Sequence, residues 1–106
     1  MGQLQDEETP IDREIVTELI ELTPSSWQQA TLEVTYSSDG TVERYAHAIS
    51  SPEGRREIID VSEKLFDATY RLGALFRRHG RHWKRVTYAV RLSDNGDYDY
   101  TVDFGY

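Results

Sequence analysis

The sequence predicts an α+β fold in the order αββαββ, with a four-stranded antiparallel sheet packed on one face by two helices. Three patterns predict it. Two stretches place apolar residues three and four apart, four stretches alternate apolar with polar residues, and Ser38-Asp39-Gly40 and Asp94-Asn95-Gly96 supply tight turns that join the alternating stretches in pairs. At 106 residues the chain suffices for one hydrophobic core, so a single domain over 1–106 is expected.

Residues 1–8, which carry Asp6, Glu7 and Glu8, are expected to form a disordered tail. Thr9-Pro10-Ile11-Asp12 reads as a helix start, with Thr9 as N-cap, Pro10 at the first helical position and Asp12 reaching back to the cap. Ile11, Ile15, Leu19 and Leu22 share one face, widened by Val16 and Ile20, and the helix must stop before Pro24. From Trp27 to Ser37, Ala30, Leu32, Val34 and Tyr36 alternate with Thr31, Glu33 and Thr35, which describes a half-buried strand. Thr41 to Ile49 returns as a second strand in one of two registers. A two-residue loop at Asp39-Gly40 puts Tyr45, His47 and Ile49 on the core face, whereas a three-residue loop with Gly40 in a bulge puts Val42, Ala46 and Ala48 there, with Arg44 on the same side.

Ser51 to Gly54, with Pro52, reads as a loop. Ile58, Val61, Leu65, Ala68, Leu72 and Leu75 then step through a long helix that Ile59, Phe66, Thr69 and Phe76 thicken and Gly80 ends. Trp83 to Leu92 is the third strand, with Val86, Tyr88, Val90 and Leu92 on one face. In the last, Tyr98, Tyr100, Val102, Phe104 and Tyr106 alternate with Asp97, Asp99, Thr101 and Asp103. Parity fixes this turn: only a three-residue loop, with Gly96 left-handed in a bulge, keeps Leu92 off the aspartate face. That register sets Arg91 opposite Asp99, Thr87 opposite Asp103 and Arg85 diagonal to Asp103, so the outer face is expected to be partly self-neutralised. The expected core includes Leu19, Leu32, Val34, Leu65, Leu72, Phe76, Val90 and Phe104.

A shift of 56 residues aligns Trp27 with Trp83, Thr31 with Thr87, Val34 with Val90, Ser37 with Ser93 and Gly40 with Gly96, without a gap. The chain therefore reads as a possible duplication of one helix-hairpin unit, 9–50 and 58–106. The duplication favours the bulged turn at Gly40.

Composition narrows the function. The chain has no cysteine, which removes disulfides, thiolate metal sites and cysteine nucleophiles and suits a reducing cytoplasm. The N-terminus lacks the basic and apolar regions of a signal peptide, and no apolar run approaches membrane-spanning length. The net charge of -7 is unevenly spread, with -9 over Met1 to Glu43, +6 over Arg44 to Arg91 and -4 over the rest. Such a field repels phosphates and steers cationic partners, so direct nucleic acid binding is not expected. Arg77 to Arg85 is basic and includes Trp83, which could stack a base, but cations after a helix also meet its dipole. His79 and His82 stand three apart among cations that oppose a metal ion. No phosphate loop, nucleophile motif or carboxylate pair with separated environments is evident, so neither catalysis nor a cofactor is expected.

The layout and the closing hairpin resemble the YezG-like immunity proteins, bacterial antitoxins that neutralise partner nuclease toxins. The matching residues are Leu19 and Leu22 before Trp27, the helix through Leu65, Leu72 and Phe76, then Trp83, and the run Leu92, Asp94, Gly96, Tyr98, Val102, Asp103, Phe104 and Tyr106. Residues 42–56 match nothing in the family, and the arginine-rich stretch after the long helix is more basic than the family pattern. The resemblance implies a cytoplasmic protein that binds a protein toxin, a basic nuclease, and covers it with an acidic surface. The alternative is a regulatory or adaptor domain that binds a peptide or a sister subunit. For a basic partner, the expected contacts are Glu14, Glu18 and Glu21, spaced along the first helix with only Arg13 nearby, joined by Glu33 on the outer strand face. The alternative interface is the Trp83 side, with Tyr98 and Tyr106 as aromatic anchors.

Overall fold

A computed structural model describes residues 3–57 and 59–106. The elements are α1 (Gln3–Leu22), β1 (Gln29–Ser38), β2 (Glu43–Ser50), β3 (Arg56–Glu57), α2 (Glu63–Arg78), β4 (Arg85–Leu92) and β5 (Tyr98–Gly105). The α+β class is as expected, but the sheet has five strands in the order β3-β2-β1-β4-β5, not four. The extra strand is two residues long and pairs Ile49 with Glu57 and Ser50 with Arg56. It forms because the loop after β2 folds back on itself, with Ser51 N–H donating to the Arg55 carbonyl at 2.8 Å.

The expected tail is corrected where it is described: residues 3–8 are the first turns of α1, and Pro10 lies inside the helix. Met1 and Gly2 lie outside the described residues. Proline removes one N–H from the helical ladder, but it leaves the turns on either side intact. Thr9 is not the N-cap; its hydroxyl donates to the Gln5 carbonyl at 2.9 Å. Packing overrides the cap signal, because Leu4 lies against the core and Glu7 reaches Arg78 at 4.0 Å. Thr23 closes the other end, returning its N–H to Leu19 at 3.1 Å just before Pro24.

The second helix begins later than its periodicity suggests. Ser62 is the N-cap and accepts from Leu65 N–H at 3.1 Å, while Ile59 and Val61 pack on the core as a lead-in segment. Ile58 lies outside the described residues. At the far end, Gly80 takes φ +72, which lets Arg81 N–H return to the Phe76 carbonyl at 2.9 Å.

Both helices cover one face of the sheet. Leu19, Leu32, Val34, Leu65, Leu72, Phe76 and Val90 are buried as expected, whereas Phe104 is only partly covered and stacks on Phe76 with ring centroids 4.7 Å apart. Phe66 is corrected: it is 48% exposed and lies beside His47 instead of in the core.

The hairpins differ. In the second, Ser93 N–H donates to Asp97 at 2.8 Å and Gly96 has φ +91, giving the three-residue loop that parity requires. In the first, Ser38 pairs with Glu43 and Tyr36 with Tyr45, so Tyr45 and Ile49 enter the core and the bulged register does not form. The Asp39 carboxylate decides this by accepting from Thr41 and Val42 N–H at 3.2 and 2.9 Å, which builds a four-residue loop. Those bonds also hold its pKa below the usual carboxylate value. Arg44 accordingly faces solvent.

Candidate protein-binding surface

The sheet registers define two ends of the molecule. Thr31 pairs with Ser50, Gln29 with Arg91 and Leu92 with Tyr98, so one end holds the starts of β1 and β5 and the finishes of β2 and β4. The helices run antiparallel and share these ends. Glu18, near the finish of α1, accepts from Ser62 Oγ at 2.9 Å, and Glu7, near its start, meets His79 at 3.3 Å. The start of α2 therefore lies with the starts of β1 and β5.

The four glutamates expected to bind a partner are not brought together. Glu33 projects from the helix-free face of the sheet, as anticipated, and lies 3.6 Å from Arg56. Glu14, Glu18 and Glu21 belong to α1 on the other side. Glu14 is held by Arg71 at 2.7 Å, so Arg13 is not its nearby cation. Glu18 is buried and braces the N-cap of α2, where a carboxylate also meets the positive end of the helix dipole. Of these four, Glu21 alone is both exposed and without a cation within 4.0 Å among the described residues.

The alternative interface also divides. Trp83 is 3% exposed and packs against Tyr45, so it is a core residue that neither anchors a partner nor stacks a base. Tyr98 and Tyr106 are 38% and 57% exposed, but they lie at opposite ends of β5. Tyr106 is covered by the Arg81 guanidinium, 5.1 Å from its ring centroid.

The basic stretch that begins in the last turn of α2 is partly engaged internally. Arg77 pairs with Glu43, which also accepts from the Tyr36 hydroxyl at 2.8 Å, while Arg78 and His79 meet Glu7. The histidines are dispersed: His47 bonds Thr69 at 3.0 Å, His79 meets Glu7 and His82 meets the Tyr36 ring edge to face. Among the described residues no group of three acidic or imidazole side chains is arranged to hold a metal ion.

A different acidic set emerges. Within 4.0 Å, the ion-paired acids among the described residues are Glu7, Glu14, Glu33, Glu43 and Asp67. Exposed Asp6, Asp39, Glu53, Glu57 and Asp103 are outside that set, as is a group of six: Glu21, Asp60, Glu63, Asp94, Asp97 and Asp99. The six come from α1, the lead-in to α2, α2 itself and the β4–β5 hairpin, and the topology collects all of these segments at the same end. The expected self-neutralisation of the hairpin is also corrected. Asp99 does stand opposite Arg91, but no ion pair forms within 4.0 Å. Arg85 lies instead against Gly105, where an added β-carbon would meet its guanidinium at 3.4 Å.

Two features adjoin this end. Phe66 is one helical turn from Glu63, and Tyr98 lies between Asp97 and Asp99, so each acidic flank carries an exposed ring. On the helix-free face, Thr31, Ala89 and Thr101 line a shallow depression of about 340 Å³ bordered by Gln29, Arg91 and Asp99.

One carboxyl pair carries almost no signal in the sequence. Asp12 is 5% exposed and accepts from the Tyr88 hydroxyl at 2.6 Å, while Glu8, one turn earlier, shares a hydrogen bond with it. Burial first, and then Asp12, push Glu8 up to about 8; burial also raises Asp12, against the bonds from Glu8 and Tyr88 that oppose the rise. The Tyr88 hydroxyl is raised well above its ordinary value by burial and by Asp12. The arrangement fastens α1 to β4 with Asp12 and Tyr88 sealed, while Glu8 lines a cleft with Gln5, Arg81 and Tyr106. The only available sequence signal was the i,i+4 spacing of two acids beside a core stripe.

In comparisons with known protein families and with curated proteins, nothing matches this chain. The resemblance to the YezG-like immunity proteins therefore rests on the residue pattern alone.

Proposed function

We propose that this protein is a non-catalytic binding module that captures a cationic protein by covering its basic surface. In the reading suggested by the family resemblance, that partner is a nuclease toxin, and the chain acts as its immunity protein, or antitoxin, in the bacterial cytoplasm. The observation that carries the reading is the collection of Glu21, Asp60, Glu63, Asp94, Asp97 and Asp99 at one end, without close cations and with Phe66 and Tyr98 beside them. Unpaired surface charge contributes little to folding, but it accelerates encounter with an oppositely charged partner, and exposed aromatic rings supply the apolar contacts that slow dissociation. The reading replaces Glu14 and Glu18 as contacts and keeps Glu21.

The test is co-expression in a bacterial host with the product of the gene beside this chain's own. The expected result is that the product is toxic alone and harmless with the protein, and that Glu21→Lys, Asp60→Lys and Asp97→Lys together restore toxicity while the circular dichroism spectrum is unchanged. Neutralisation that survives the triple reversal, or a neighbouring product that is neither toxic nor bound, contradicts the proposal.

A further inference from the structure

The edge of the sheet adds a more specific element to that reading, on which it rests. We propose that β5 takes up an extended segment of the cationic partner as an additional antiparallel strand. The segment carries Lys or Arg at positions i and i+4 and apolar residues at i+1 and i+3.

β5 is the last strand of the sheet, and among the described residues none lies beyond it. It is eight residues long, has no proline, and is interrupted by no bulge after the turn at Gly96. Because Ser93 and Asp97 are joined by a backbone hydrogen bond, the alternation of an antiparallel ladder aims the backbone groups of Asp99, Thr101 and Asp103 at β4. Those of Tyr98, Tyr100, Val102 and Phe104 are aimed at the open edge, a ready template for strand addition.

The side chains define what fits. A strand laid against β5 meets Asp99 and Asp103 with residues four apart on the helix-free face, and Thr101 between them. On the other face it meets Tyr100 and Val102, which the helices leave only partly covered. Cations opposite the aspartates and apolar residues opposite Tyr100 and Val102 therefore complement the edge. A second copy of this chain does not: antiparallel self-pairing about Thr101 sets Asp99 against Asp103 twice, and like charges directly opposite repel. The far edge differs. There β3 covers only Ile49 and Ser50, and the remaining outward face of β2 carries Arg44, which opposes a basic segment.

The experiment uses the full chain, isotopically labelled, and a synthetic peptide of about nine residues with Lys-Val-Thr-Val-Lys at its centre, followed by amide hydrogen exchange. Saturating peptide is expected to slow exchange at Tyr100 and Val102 by about tenfold or more and to leave β1 unchanged. Methylating the peptide nitrogens that face the edge, or introducing Asp99→Asn with Asp103→Asn, is expected to weaken binding by about tenfold or more. Equal binding of the methylated peptide overturns strand addition, while capture by charge, and with it the function proposed above, survives. Absence of binding overturns it as well, and the co-expression assay then judges that function separately. Protection of Tyr100 and Val102 that appears only as a dimer of the chain forms also overturns it.

Discussion

Gly73 shows how closely single residues are fitted. It sits inside α2, where alanine is ordinarily favoured by about 1 kcal/mol, yet a β-carbon there would collide with the Tyr45 hydroxyl and approach the ring at 3.2 Å. Gly73→Ala is expected to destabilise the protein by about 1 to 3 kcal/mol, since Tyr45 is buried and cannot swing aside freely. In a Tyr45→Phe background most of that cost should vanish, because the colliding atom is gone. Urea denaturation of the four proteins in the cycle measures the coupling, and additive effects would show that the contact does not matter. The other residue-scale consequence concerns Glu8, Asp12 and Tyr88. A carboxyl whose folded-state pKa is raised holds a proton that the unfolded chain releases, so stability is highest at acid pH. It falls as pH rises from the ordinary carboxylate range through about 8, the value to which Glu8 is pushed. The melting temperature of wild type should therefore drop between mildly acid and mildly alkaline solution, and Glu8→Gln should flatten that drop.

At the scale of elements, the register of the second hairpin was legible in the sequence and that of the first was not. Alternation from Asp97 to Asp103 leaves one parity open, and Gly96 at φ +91 satisfies it. Gly96→Val should cost more than about 1 kcal/mol through positive-φ strain, while Asn95→Asp should be nearly silent, since a carboxylate can accept the same bonds from Ser93 and Asp97. The first hairpin depends on one side chain, Asp39, capping two amides, and the apparent duplication hid this because Gly40 has the same left-handed backbone as Gly96 without the same loop length. The helix boundaries were displaced for a related reason. Packing of Leu4 and Glu7 extends α1 beyond Thr9, and Glu18 draws Ser62 into the cap of α2. Ser62→Ala should accordingly cost more than the roughly 1 kcal/mol of an ordinary N-cap, because it also removes the partner of a buried carboxylate.

For the whole molecule, the core was readable and the proposed binding surface was not. Periodicity identifies which side chains turn inward, and Leu19, Leu32, Leu72 and Val90 follow it. It does not reveal which charges find partners across distant elements: Arg71 reaches Glu14 from the other helix, and Arg77 reaches Glu43 from α2 to β2. Glu21, Asp60, Glu63, Asp94, Asp97 and Asp99 come together at one end only once the fold has joined α1, the lead-in to α2 and the β4–β5 hairpin. The most direct test is the rate of association with the proposed partner, the neighbouring gene product, measured by stopped flow from about 50 to about 500 mM salt. The rate is expected to fall steeply with salt, to drop by about tenfold or more at low salt when Glu21, Asp60 and Asp97 are reversed to lysine, and to change by less than about twofold for Asp6→Lys at the opposite end. A rate insensitive to salt and to the triple reversal would contradict the proposed capture by charge.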